Sequence, residues 1–339
     1  MKKGICCAGN MVVDITYPIE TWPRQNELTH ITEGIEMSTG GSVCNTLLDL
    51  ARLDPELPLV ASGFAGHDPE GDFIMKEMEK YENIDLSMVR RDGHTSFTVV
   101  MSNNQTKERT FFQYAGASSF YKEDHIDWER LDVDIFHIGY ILLLPYLDKP
   151  DPEYGTRMAR LLCRAQKQGL KTSIDVVSET GDRFKHLVPP ALKYANYCII
   201  NELEAQQTTG VLLRDKDGGL YKENMKQALL KLRKLGVSNW AVIHCPEFGC
   251  GIDENGGYYE FPSLVLPKEY IKGTVGAGDA FCAGVLYAAE MGMPLQEGLK
   301  LGACTAAASL SEKNASNGVR KKSEVLKLYD QYSKEHLLS

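Results

Sequence analysis

From residue 134 onward the chain alternates short apolar runs with helical periods, and few folds accept that order. Residues 135–140, 171–176, 197–200 and 239–244 read as buried strands. Between them, 151–168, 202–209 and 222–235 carry helical spacing, with Pro152 suited to a first helical turn. Repetition of this kind predicts an α/β protein with a largely parallel central sheet and helices on both faces. In such sheets ligands bind beyond the carboxyl ends of the strands. Asp175, Asn201 and His244 stand at three of those ends.

The first third of the chain is less regular. Residues 4–13 read as one buried strand ending near Gly9-Asn10, with Asp14 directly after it. An Asp there is either a turn residue or a group facing the ligand crevice. Residues 15–37 hold Pro18, Pro23 and Gly34 and little helical period, which suggests an excursion off the main sheet. The run Ser38-Thr39-Gly40-Gly41-Ser42 then opens a helix to about residue 53. Gly40 and Gly41 permit close approach of backbone to a ligand, and Asn45 lies one turn in. Residues 96–103 and 109–114 alternate as strands around Asn103-Asn104-Gln105, a hairpin pattern. Arg109, at the start of the second strand, is a solvated strand-end charge or a substrate contact.

Residues 271–292 combine a glycine-rich turn, Thr274-Val-Gly276-Ala277-Gly278-Asp279, with an apolar helix through Phe281, Val285 and Ala289. Bare backbone at the start of a helix offers N–H groups and a positive dipole end to an anion. Asp279 beside it is expected to be ionised, because the dipole favours the charge. An anion cradle next to a base is what phosphoryl transfer to a hydroxyl requires. The same residues also suit a plain helix start with Asp279 as its cap. The turn lacks the Gly-Lys-Ser/Thr of a Walker A loop.

Thr274, Gly276, Ala277, Gly278, Asp279, Ala280 and Phe281 closely resemble the second signature of the ribokinase-like (PfkB) carbohydrate kinases. Gly40, Gly41 and Asn45 resemble the first. The resemblance implies a single ribokinase-like domain over 1–339, with a small β-sheet lid from about 15–37 and 95–116. It implies ATP-dependent phosphorylation of a hydroxyl on a sugar or sugar-like polyol. In that reading Asp279 is the catalytic base and the backbone of Gly276, Ala277 and Gly278 is the anion hole. Asp14, Gly40, Gly41, Asn45, Arg109 and Asp175 would face the substrate. Asn201 and Glu204, an Asn-x-x-Glu motif, would organise Mg2+ and phosphate through water. Thr274, His244, Gly249 and Asn317, with Ser316 beside it, would lie on the nucleotide side.

Several positions depart from the family pattern. Its first Asp is Gly273 here, which puts the family's monovalent cation in doubt. Asp175-Val-Val-Ser-Glu179 stands where Asp-x-Asn-x-Arg is common, so contacts on that side of the sugar are unusual. His244 and Pro246 replace a Thr and a Gly that usually line the nucleotide phosphates, and Pro246 removes a backbone donor. A nucleoside kinase of the same fold, its base packed on lid aromatics such as Phe97 or Phe112, is the alternative enzyme. A sugar-binding regulator without turnover is the alternative outside catalysis.

A net charge of −9 and a pI near 5.5, without a basic tract, argue against nucleic acid or an anionic membrane as partner. Nine cysteines without a Cys-x-x-Cys pair suggest buried thiols in a reducing cytoplasm. No stretch approaches the length of a membrane span. Lid strands with exposed edges often pair between subunits, so a homodimer is expected.

Overall fold

The computed structural model describes residues 4–333 except 107, 180 and 316. In chain order, β1 (Ile5–Gly9), β2 (Val12–Ile19), β3 (Glu36–Gly40), α1 (Gly41–Leu53), β4 (Leu59–Phe64), α2 (Pro69–Met78) and β5 (Ile84–Arg90) come first. The hairpin β6 (Ser96–Asn103) and β7 (Arg109–Tyr114) leads to β8 (Ile135–Ile141). Then follow β9 (Pro150–Asp151), β10 (Gly155–Thr156), α3 (Arg157–Lys167), β11 (Lys171–Val176), α4 (Phe184–Leu192), β12 (Tyr197–Asn201), α5 (Glu202–Thr209) and α6 (Met225–Leu235). The chain closes with β13 (Trp240–His244), β14 (Phe248–Ile252), β15 (Tyr258–Pro262), α7 (Ala277–Glu290), α8 (Leu295–Ser309) and α9 (Lys322–Tyr332).

Nine strands form the main sheet in the order β15-β14-β13-β12-β11-β8-β1-β4-β5. All neighbours from β13 to β5 are parallel, and β14 and β15 run antiparallel at one edge. Alternation along β1 shows why both faces are covered. Cys6 and Ala8 pack into a core with side chains of α3, α4 and α6, whereas Ile5 and Cys7 pack into a second core with α1, α7 and α8. Every one of these four is fully buried. A Leu or Ile buried in this way stabilises the fold by roughly 1.5–3 kcal/mol.

A separate four-stranded sheet, β3-β2-β6-β7, stands beyond the main sheet. The expected single strand over 4–13 is therefore two strands in two sheets. Gly9, with φ +122, and Asn10 interrupt it, and Val12 already pairs with Gly40 and Ser96. Asp14 thus lies within a strand of this second sheet and not in a turn. Strand geometry also persists through Gly40, so α1 begins at Gly41 and not at Ser38.

Two helices start later than their spacing suggests. Asp151 Oδ1 accepts from the backbone N–H of Glu153 and Tyr154, both at 3.0 Å, and bends the chain into the β9–β10 hairpin. Thr156 then caps α3 by accepting from Ala159 N at 3.1 Å. Residues 222–224 form a 3₁₀ turn ahead of α6.

Candidate active site

Five parallel strands end at one edge, and each brings a polar residue there: Asn10 after β1, Tyr140 on β8, Asp175 on β11, Asn201 on β12 and His244 on β13. Two helices aim their first turns at the same edge. Gly40, extended at φ −147, caps α1, and Gly41 turns the chain at φ +83. A Cβ on Gly40 would stand 2.3 Å from Asp14 Oδ2, so the bare backbone makes room for that carboxylate. Gly276, at φ +80, caps α7, and a Cβ on it would reach 2.5 Å from Ala315 Cα. Only glycine fits both constraints there.

Asp279 is the third residue of α7 and is 8% exposed. It is not the cap. Its Oδ2 accepts from Asn45 Nδ2 at 3.0 Å, and its Oδ1 accepts from the Tyr140 hydroxyl at 2.5 Å. Burial raises the carboxyl above its ordinary value, and the two hydrogen bonds oppose that rise. Burial therefore acts against the ionised form that the helix start favours, and the Tyr140 and Asn45 hydrogen bonds act for it.

Three further carboxylates share the cleft, and burial pushes each of them up. Asp14 reaches about 6, with a Thr98 hydrogen bond opposing and the Asp279 charge adding. Asp175 is raised well above the usual range by burial, then by Asp279 and Glu204. Glu204 reaches about 7 through burial, although it accepts from Asn201 N at 2.9 Å and Ser178 Oγ at 2.8 Å. Asn201 Oδ1 accepts in turn from Glu204 N at 2.9 Å, a reciprocal cap that fixes both side chains.

This donor set fits a hard divalent cation held through water. The ligands are oxygens, and their mutual repulsion is what a cation relieves. A softer set lies beneath: His137, Asp175 and Cys282 offer ligand atoms within 4.8 Å of one another. Both ring nitrogens of His137 already contact serines, Ser42 Oγ at 3.2 Å and Ser173 Oγ at 3.0 Å, which makes it a satisfied core histidine.

The cleft, about 680 Å3, is lined by Asp14, Gly41, Asn45, Asp175, Asn201, Glu204, His244, Gly276, Gly278 and Asp279. An adjoining hollow of about 650 Å3 is mostly apolar, with Leu264, Val265, Ile271, Phe281 and Ala307 in its wall and Thr274 and Ala277 at its floor. It suits a flat aromatic base. His244 and Gly278 belong to both spaces. The His244 ring lies 4.9 Å from that of Phe281, and burial lowers its pKa to about 4, so the imidazole is neutral.

Four candidates line neither space, and the first, Gly40, stands behind the Asp14 carboxylate. Arg109 pairs with Ser102 at the far end of the β6–β7 hairpin and lines, with Lys272, Lys313 and Glu36, a neighbouring hollow that shares Asp14, Phe111 and Val275 with the cleft. The antiparallel register instead brings Thr98 and Gln113 to the cleft. Gly249 pairs with His244, and a Cβ there would meet Phe281 Cζ at 2.7 Å; its bareness serves ring packing. Asn317 Oδ1 accepts from Arg52 Nη2 at 2.8 Å, away from both spaces. Ser316 lies outside the described residues. Tyr140, Asn10, Phe111 and Ser178 line the cleft without having been singled out. The strand-end rule that marked Asp175 applies equally to Tyr140.

A family model described as pfkB family carbohydrate kinase matches residues 2–322. The chain is 23% identical over 311 residues to the nucleoside kinase of Methanocaldococcus jannaschii, covering 90% of this chain and 89% of that protein. It is 22% identical over 298 residues to the 2-dehydro-3-deoxygluconokinase of Escherichia coli, covering 85% and 93%. Among solved structures, the Arabidopsis thaliana ribokinase complexed with ribose and ATP superposes with a TM-score of 0.79 at 21% identity, covering 97% of this chain and 99% of that one.

Proposed function

The chain belongs to the pfkB family of carbohydrate kinases, and from that premise we propose how its residues divide the work. The protein is an ATP-dependent kinase of a sugar or similar hydroxyl-bearing acceptor, built on a ribokinase-like α/β fold. One observation carries the residue assignment: Asp279 sits in the first turn of α7 and lines the polar cleft with Gly276, and Gly278 between them lines both the cleft and the apolar hollow.

The acceptor hydroxyl lies against Asp279, which takes its proton as the oxygen forms a bond to the terminal phosphorus. The bridging P–O bond to the diphosphate breaks, and ADP leaves. Backbone N–H groups at the start of α7 face the charge that develops on the transferred group. Asp14, Gly41, Asn45 and Asp175 hold the other acceptor hydroxyls, with the Gly40 backbone making room for Asp14. Thr274, Ala277 and His244 border the nucleotide. Asn201 and Glu204 would hold Mg2+, which would supply counter-charge to the polyphosphate. The four-stranded sheet acts as a lid on a single kinase domain and excludes water, the competing acceptor.

A nucleoside acceptor is the second reading, and Phe111 favours it. This ring, 57% exposed, projects from the lid into the cleft and offers a face to a base. Phe97 and Phe112 do not line the cleft. Ile31, Ile35, Phe112 and Tyr114 are also exposed on or beside the lid, which supports a homodimer through that sheet. The nine free cysteines support a reducing cytoplasm as the location. ADP release with pentoses, hexoses, inositols and nucleosides tests the kinase reading. Turnover with at least one acceptor is expected, and nucleotide or acceptor binding with no ADP release would favour a non-catalytic regulator.

A further inference from the structure

Charge in the acceptor cleft narrows the acceptor class, an inference that rests on the kinase reading above. Asp14, Asp175, Glu179, Glu204 and Asp279 all line the cleft. Among the described lining residues there is no lysine or arginine, and His244 is neutral. Arg183 is bonded to this wall through Glu179. Its guanidinium is taken by Glu179 at 2.8 Å and Asp148 at 3.0 Å, and it does not line the cleft. Arg109, Lys272 and Lys313 belong to the neighbouring hollow, where Lys272 pairs with Glu312 at 3.5 Å and Lys313 with Glu36 at 3.3 Å.

Two neutral groups show what the cleft does want. Asn10 Nδ2 and Asn45 Oδ1 are buried cleft atoms without a protein partner, in residues 1% and 3% exposed. One donates and the other accepts. A hydroxyl satisfies either, because it both donates and accepts. A carboxylate or phosphate satisfies only the donor, and meets a wall of acidic side chains whose described residues include no lysine or arginine.

We propose that the acceptor is an uncharged polyol, that an amine on it is tolerated, and that sugar acids and sugar phosphates are rejected. This separates the chain from its relative that acts on 2-dehydro-3-deoxygluconate, whose name specifies an acid. Glu179 contributes directly: it places a carboxylate on the cleft wall and holds Arg183 out of the cleft.

The test uses matched sets: neutral pentoses, hexoses, inositols and nucleosides, their amino analogues, and their carboxylate or phosphate analogues. Each is assayed for ADP release with ATP and for equilibrium binding to the nucleotide-free enzyme. Neutral and amino members should exceed their acidic partners at least tenfold in kcat/KM and in affinity. Asp175→Asn should shrink that gap severalfold, whereas a purely structural loss would weaken all members alike. An acidic member turned over or bound within tenfold of its neutral partner overturns the proposal, including one that depends on Arg109. Binding that obeys the charge rule without ADP release from any set would count against the kinase reading and leave the charge rule standing.

Discussion

The phenol of Tyr140 donates to Asp279 Oδ1 at 2.5 Å, across 139 residues of chain. It joins the end of β8 to the first turn of α7, with Asn45 holding the other carboxylate oxygen. A donor to a carboxylate favours the ionised form, so Tyr140 works against the burial that raises Asp279. Tyr140→Phe should therefore move the acid limb of kcat upward in pH and lower kcat at pH 7 by about tenfold. A pH–rate profile reads this. An unshifted limb with unchanged kcat would remove Tyr140 from the positioning of the base.

Asp279→Asn keeps the shape and the Asn45 contact but cannot accept the acceptor's proton. Turnover should fall by roughly 10²–10⁴, the range for a positioned base, with acceptor affinity changed only slightly. Isothermal titration beside a steady-state assay separates the two quantities. Near wild-type kcat would refute the base assignment.

How stability varies with pH follows from the crowding of acids. Above about pH 7.5 histidines are neutral folded or unfolded, so His137 and His244 drop out of the slope. Glu204, at about 7 when folded, still binds protons there that the unfolded chain has released. Asp175 and Asp279 are raised as well and act in the same direction. A raised folded pKa contributes stability that is present at low pH and lost as pH climbs through it. The melting temperature of the unliganded protein should thus fall between about pH 7.5 and 9, and Glu204→Gln should flatten the decline. Differential scanning calorimetry would contradict this if stability rose across the window.

Legibility varied along the chain for physical reasons. The parallel sheet was readable because strands buried on both faces are continuous apolar runs, and strand-end residues such as Asp175 and Asn201 follow from topology. The α7 turn was readable because glycine at a position like 276 has a backbone cause. Gly249 misled for the same reason: a glycine that makes room for Phe281 looks in sequence like one that makes room for a phosphate. The place of Arg109 was not readable, because hairpin register decides which end of β7 meets the cleft and which the neighbouring hollow, and residue type does not carry register. The raised acids at 14, 175, 204 and 279 come from four separate segments, so their mutual repulsion exists only once the chain is folded.

Gly273 bears on monovalent cations. A Cβ there would stand 2.7 Å from the Lys313 carbonyl oxygen and 2.9 Å from that of Glu312, so the backbone fills the space an Asp side chain would need. No carboxylate at this position can complete a cation shell. Exchanging K+ for Na+ or choline at constant ionic strength should change kcat by less than about twofold, a small effect beside the large one that direct charge stabilisation of the phosphoryl group gives. Tenfold activation by K+ would show that carbonyls alone suffice.

Gly40 gives the sharpest separation of fold from function. Its backbone, φ −147 and ψ 179, is open to any residue, so alanine there carries no conformational strain. The added methyl would nevertheless lie 2.3 Å from Asp14 Oδ2 and 3.0 Å from Oδ1, and the carboxylate must swing away. Asp14 lines the cleft and Gly40 does not, so the damage should fall on acceptor binding. Gly40→Ala should raise KM for the acceptor about tenfold, a loss of roughly 1.4 kcal/mol, while KM for ATP and the melting temperature stay near wild type. Gly276→Ala is the contrast. Its φ of +80 and the 2.5 Å approach to Ala315 make alanine both strained and crowded, costing on the order of 1–3 kcal/mol of stability along with turnover. If Gly40→Ala instead melted early with an unaltered KM, Asp14 would be a structural residue of the lid and not a ligand of the substrate.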